Sequence, residues 1–250
     1  MNLLIVLSLL TVAVRNKSEK AMESPSELYS RAMAHFQNRK FSKSAELFKQ
    51  FVFRYPLSDS VDGAQFYLAK SYKEMKNYDE AITEYQFLIS TFTTSKFIPE
   101  ALLDIAECYI SKAKNVGRDT EELSEALKYI RDFYLRYPDS PLKEKAKELE
   151  TKIARLRGEK YLYIAKTYLD IGYPQSAELY LDLLEKEFPD DDSLLTQGKI
   201  LRILSKIEEG KCGEAKSLYS ELMESNPSLK STTSKEIKKI DRTLKKKCKR

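Results

Sequence analysis

The chain has 250 residues, 42% hydrophobic and 32% charged, with 7 Gly, 8 Pro and no Trp, a balance that excludes a disordered polypeptide and suits an ordered, helix-rich one. The net charge of +5 is uneven: Lys235 to Arg250 carries nine Lys or Arg against two acids, so the remaining chain is near −2. A nearly neutral body lacks the basic stripe that nucleic-acid binding requires, and no nucleic-acid partner is expected.

Residues 1–14, MNLLIVLSLLTVAV, are almost wholly apolar. Fourteen helical residues reach about 21 Å, short of a hydrocarbon core of about 30 Å, and match the apolar region of an export signal. Arg15 and Lys17 follow the run and no basic residue precedes it. Thr11 and Ala13 stand at the −3 and −1 positions of a cleavage after Ala13, and a buried N-terminal strand is the alternative reading. Residues 15–25 are polar, without periodicity, and read as a tether.

From Ser26 the chain repeats itself. FSKSAELFKQFVFRYP places a small residue at Ser44, an aromatic four positions on at Phe48, another eleven on at Tyr55, and Pro56 after it. The spacing returns at Ala81, Ala126, Ala177 and Ala215, so the anchors are 37, 45, 51 and 38 residues apart. A small residue lets two helices approach, the next positions form one stripe, and proline ends the helix. Leu68, Ala69, Tyr72, Tyr78, Ala81, Tyr85, Leu88 and Phe92 match the tetratricopeptide pattern slot by slot. The expected fold is all-α, a superhelical stack of five tetratricopeptide-like helical hairpins.

In chain order, Ser26 is expected to cap the first helix and Phe41 to begin the second. Repeat two spans VDGAQFYLAKSYKEM and YDEAITEYQFLISTF. Repeat three begins near Phe97, and NVGRDTEEL reads as an insertion before EALKYIRDFYLRYP. PLKEKAKELETKIARLRGEKYLYIAKTYLDIG reads as one long connecting helix, interrupted only by Gly158, running into repeat four. Repeat five is degenerate, with acids at 190–192 favouring the N-terminus of its first helix. Residues 26–140 thus form repeats one to three. Residues 141–230 hold the connecting helix and repeats four and five. Residues 231–250 form a basic C-terminal helix with Ser234 as its cap, a capping element or a contact for an anionic membrane surface or an acidic partner surface.

No catalytic constellation is present. His35 is the single histidine, and no P-loop, GxGxxG, HExxH or GxSxG occurs, so neither catalysis, metal nor cofactor is expected. Cys108 reads as a core residue, while Cys212 and Cys248 are open to pairing in an oxidising compartment. What remains is a surface. Tyr29, Met33 and Phe36 in repeat one and Phe66, Lys70 and Lys73 in repeat two form a second stripe expected to line the inner groove. Aromatic and methionine side chains beside two ammonium groups suit an extended peptide with an aromatic residue and a free carboxylate. The lysine clamp of chaperone-tail adaptors is absent: its slots hold Tyr29, Met33, Tyr67, and, with reversed charge, Glu100 and Asp104.

KFSKSAELFKQFVFRYPLSDS, NYDEAITEYQFLISTF, GRDTEELSEALKYIRDFYLRYPDSP and ARLRGEKYLYIAKTYLDIGYPQSAELYLDLLEKEFPD resemble the BamD (ComL) family of outer-membrane assembly lipoproteins. The RDTEEL insertion and the RLRGEKY helix carry the more specific part. The resemblance implies a non-enzymatic periplasmic scaffold whose first repeats receive unfolded outer-membrane proteins. Later repeats would dock the barrel insertase and its periplasmic domains, here around Arg155, Arg157 and Lys160. That family is anchored by a lipidated cysteine after its signal, where this chain has Val14. The alternative is another periplasmic tetratricopeptide adaptor coordinating envelope or cell-division complexes, which usually carries heptads before its repeats; none precedes Ser26.

Overall fold

A computed structural model describes residues 23–116, 121–227 and 235–248, and the readings of 1–14, most of 15–25, and the Ser234 cap lie outside them. The described residues form eleven α-helices and no strand. They are α1 Pro25–Gln37, α2 Phe41–Arg54, α3 Val61–Glu74, α4 Tyr78–Thr91, α5 Ile98–Val116 and α6 Glu121–Arg136. Then follow α7 Lys143–Asp170, α8 Pro174–Glu187, α9 Asp192–Glu208, α10 Cys212–Ser225 and α11 Lys235–Lys247. The chain divides into two compact units, residues 1–112 with 124–146, and residues 113–123 with 147–250.

The repeat spacing translates directly into burial. Ser44, Ala81, Ala126, Ala177 and Ala215 are all fully buried, and Phe48, Tyr85, Ile130 and Leu181 four positions later are buried as well. Eleven positions after each anchor the helix ends. The N–H groups of Tyr55, Phe92, Tyr137, Phe188 and Asn226 each donate to the carbonyl four residues back, as the last intrahelical bond.

In the first unit α1 packs on α2, α2 on α3 and α3 on α4. Its core is aromatic. Tyr29 meets Phe48 and Phe51 edge-on, Phe48 stacks on Tyr67 at 5.7 Å, and Phe66 stacks on Phe97 at 4.8 Å. Offset and edge-to-face pairs of this kind add about 1 kcal/mol each to the area they bury. Helix α1 starts one residue earlier than expected, and its cap is Ser24 rather than Ser26. Pro25 occupies the first turn, where no N–H is needed, and Ser24 and Glu27 close a reciprocal capping box.

In the second unit α8 packs on α9, α9 on α10, and α11 on both α9 and α10. The connecting helix is continuous for 28 residues. Gly158 does not interrupt it; a Cβ there would lie 2.3 Å from Leu194 Cδ1, so the glycine admits α9 close against α7. Repeat five lacks the small consensus residue of its first helix, and Gly198 supplies close approach instead, facing Leu184 of α8. Asp191 caps α9 through the Leu194 N–H, which accounts for the acidic run. Of the NVGRDTEEL insertion, Asn115 and Val116 belong to the end of α5 and Glu121 to Leu123 to the start of α6, and residues 117–120 lie outside the described residues. Cys212 and Cys248 form a disulfide, and Cys108 is a buried free thiol.

Candidate functional site

The groove stripe expected on α1 and α3 is present only in part. Tyr29, Met33 and Phe36 are half-buried against the first core, leaving ring and thioether faces accessible. Phe66 is not on the surface: it is 1% exposed, enclosed by Tyr67, Tyr85 and Phe97. A half-buried aromatic on α3 is its neighbour Tyr67, which meets Phe36 at 5.2 Å, Phe48 and Phe97. One residue along a helix is about 100°, enough to exchange a core position for a surface one. Gly63 makes the convergence possible, since a Cβ there would stand 2.9 Å from the Tyr29 hydroxyl and 3.3 Å from the Phe97 ring. The assembled feature is an apolar ledge of Tyr29, Met33, Phe36, Tyr67 and Phe97 over a floor of Phe48, Phe51 and Phe66. Burial, then the neighbouring Tyr67 and Asp62, push the Tyr29 hydroxyl up to about 12, so it stays protonated at neutral pH.

Lys70 and Lys73 are not free ammonium groups, which corrects the expected carboxylate subsite. Lys70 pairs with Glu100 at 2.5 Å, and Lys73 pairs with Asp104 at 2.8 Å and Glu107 at 2.7 Å. Asp104 is 1% exposed and is the hub of the unit. One of its oxygens accepts from Lys73 and, at 2.7 Å, from Lys145; the other accepts from the Tyr85 hydroxyl at 2.8 Å. Burial alone would raise the Asp104 carboxyl, but Lys73 and then Lys145 outweigh it and hold it below the usual range. Burial opposes charge on Lys73 too, and Asp104 and Glu107 reverse that and raise it. The reversed-charge slots Glu100 and Asp104 and the stripe lysines are therefore two halves of one network. A fully ligated, sealed carboxylate is not placed for acid–base work. Burial likewise pushes the Cys108 thiol up to about 12, leaving it protonated at neutral pH.

The residues expected at a partner interface lie on α7 in the second unit. Arg155 is exposed and pairs with Glu159 one turn on, at 3.2 Å. Arg157 instead binds Glu187 of α8 at 2.7 Å, and the Tyr161 hydroxyl donates to the other oxygen of the same carboxylate. Arg157 thus ties α7 to α8. Lys160 is half-buried on the same helix.

Sequence reasoning missed the apolar surface of this unit. Leu179 and Leu183 are 64% and 38% exposed and line a shallow depression with Tyr180, Asp182 and Lys186. Tyr163, Ile171 and Tyr173 are each more than half exposed in the same repeat. The signal was available in α8. Ala177, Leu181 and Leu184 fill the core stripe, so Leu179 and Leu183, near 200° around the helix, fall on the opposite face.

Among the described residues no group of three or more His, Cys, Asp or Glu is placed to hold a metal, and no helix is long and apolar enough to cross a membrane. The helical hairpins with buried small anchors, four of the five followed by proline and the second by Thr93, define a tetratricopeptide-type repeat protein. The chain belongs to the YfiO family of outer membrane lipoproteins, whose family model matches residues 21–231. This is the BamD-like family that the sequence resembles. A search among curated proteins gives no match. Among solved structures, the TPR2AB-domain–pHSP90 complex of yeast Sti1 is similar at TM-score 0.44 and 12% identity, covering 90% of this chain and 98% of that one. A thermophilic TPR protein of Thermus thermophilus is similar at TM-score 0.39 and 14% identity, covering 88% and 99%. Aspartyl phosphate phosphatase F of Bacillus subtilis reaches 0.37 at 14%, covering 90% and 61%. At such scores these matches say nothing about what this chain binds.

Proposed function

We propose that the chain is a non-enzymatic scaffold at the periplasmic face of the outer membrane, serving the machinery that folds and inserts β-barrel proteins. The observation that carries this reading is membership of an outer-membrane lipoprotein family across residues 21–231. Two surfaces support it. In the first unit, the ledge of Tyr29, Met33, Phe36, Tyr67 and Phe97 offers ring faces to an extended segment of an unfolded barrel protein. Recognition there is by apolar contact, because Lys70 and Lys73 are neutralised by Glu100, Asp104 and Glu107. In the second unit, Leu179 and Leu183, with Asp182 and Lys186 beside them, offer an apolar patch with charged neighbours for the insertase's periplasmic domains, and the exposed Arg155 on α7 offers a further charge.

Affinity purification of the full chain from the native membrane fraction tests the reading. Recovery of a large outer-membrane barrel protein is the expected result. Recovery of cell-division or other envelope proteins in its place would overturn it in favour of a different periplasmic adaptor.

A further inference from the structure

Helix α11 has two unlike faces. Ile237 and Ile240 are buried and Leu244 is partly buried, all packed with Ile203, Ile207 and Leu222 of α9 and α10. The helix is fastened at its middle by the Tyr219 hydroxyl donating to Asp241, at 2.8 Å. At its end Lys247 pairs with Glu208 at 2.5 Å, and the Cys212–Cys248 disulfide joins the residue after the helix to the first residue of α10. On the outward side Lys238, Lys239, Arg242, Lys245 and Lys246 are all exposed, and among the described residues none of the five is in an ion pair. At 100° per residue these positions fall within an arc of about 120°, along a helix about 20 Å long.

We infer that this face is a rigid cationic plate that holds the second unit against an anionic phospholipid surface. The inference goes beyond the protein-docking role and uses none of its residues. Protein interfaces are depleted in lysine and need a buried apolar centre, and among the described residues the outward face of α11 offers no apolar side chain. A plane of phosphate headgroups can meet all five cations at once, and the family to which the chain belongs is one of outer membrane lipoproteins. The apolar face of α11 is already used inside the protein, so binding is electrostatic and without insertion. Each cation near such a surface strengthens binding roughly fivefold, and the effect decays within a Debye length.

The test is sedimentation of the oxidised full chain with phosphatidylcholine vesicles, with and without phosphatidylglycerol. Binding is expected only to the phosphatidylglycerol vesicles and is expected to fall steeply with added salt. The triple variant Lys239→Gln/Arg242→Gln/Lys246→Gln should bind roughly a hundredfold more weakly while melting like the parent. A control triple variant, Lys40→Gln/Lys49→Gln/Lys76→Gln, should bind like the parent. Equal binding to both vesicle types, no binding to either, or an unaffected triple variant would overturn the plate. Retention on immobilised poly-glutamate with no vesicle binding would overturn it too and would point to an acidic protein.

Discussion

In the first unit, Lys73 of α3, the Tyr85 hydroxyl of α4 and Lys145 at the start of α7 converge on one buried carboxylate, Asp104 of α5, and the rings of the unit stack into a core. In the second, Arg202 of α9 gathers Glu178, Asp182 and Glu185 along one side of α8, at 2.8, 2.8 and 3.3 Å, and Leu179 and Leu183, next to Asp182, are left in water. The first arrangement makes an interior that tolerates no loss of a partner. The second gathers its ion pairs on a mostly buried Arg202, which meets the mostly buried Glu178 and the exposed Asp182 and Glu185, and closes its end with a covalent staple. Asp104 thus organises one unit, and Arg202 with the Cys212–Cys248 staple the other, while the exposed leucines of α8 belong to neither arrangement.

The largest expected effect follows from removing the hub. Asp104→Ala leaves Lys145 and the Tyr85 hydroxyl without their buried partner and should cost the first unit about 3–5 kcal/mol in urea unfolding. A loss under 1 kcal/mol would mean that the network is incidental to the fold.

Next comes the staple. Opening the disulfide in the Cys212→Ser variant, which frees a segment spanning 36 residues, should cost about 3 kcal/mol. The loss should show as earlier unfolding of the second unit, with the first unit's transition unmoved. Loss in both units together would deny their independence.

A pH profile sharpens the same contrast. The Asp104 carboxyl is depressed below its ordinary 3.8, so its contribution is full above that value and disappears as pH falls through the depressed one. Lys73 is raised above its ordinary 10.5, so its contribution is full below that value and is lost only at more alkaline pH. First-unit stability should be flat across neutral pH and fall at the acid extreme, and Asp104→Asn should flatten that acid limb. An acid limb unchanged in Asp104→Asn would assign it to other carboxylates.

The smallest effect on folding is expected for Leu179→Ser/Leu183→Ser, within about 0.5 kcal/mol for each exposed residue. The same variant should lose the barrel-protein partner in affinity purification. Retained partner binding would remove α8 from the docking surface.

The repeat architecture was legible in the sequence because the small anchors, the residue four on and the helix end eleven on are local features of single helices. Ser44, Ala81, Ala126, Ala177 and Ala215 are buried without exception. The fit of Phe66, Lys70 and Lys73 to a groove was not legible, because one helical stripe has two possible neighbours. Whether it faces water or the next hairpin depends on what α5 presents. Helix α5 presents Glu100, Asp104 and Glu107, and they draw the lysines inward. The sequence held both halves of this pairing, as misplaced lysines and as reversed-charge acids some thirty residues apart. Only the packing of α3 on α5 joins them. Gly63 and Gly158 were similarly opaque, since a glycine in a helix shows its purpose only when a side chain from another element closes on it.

The most direct test of a scaffold with two distinct surfaces is photo-crosslinking in living cells, with a photoreactive residue in place of Leu179 in the second unit or Tyr67 in the first. The account predicts a single discrete crosslink to a large outer-membrane barrel protein from position 179, and a spread of crosslinks to newly made barrel proteins from position 67. The same crosslinks from both positions, or none to any outer-membrane protein, would contradict it.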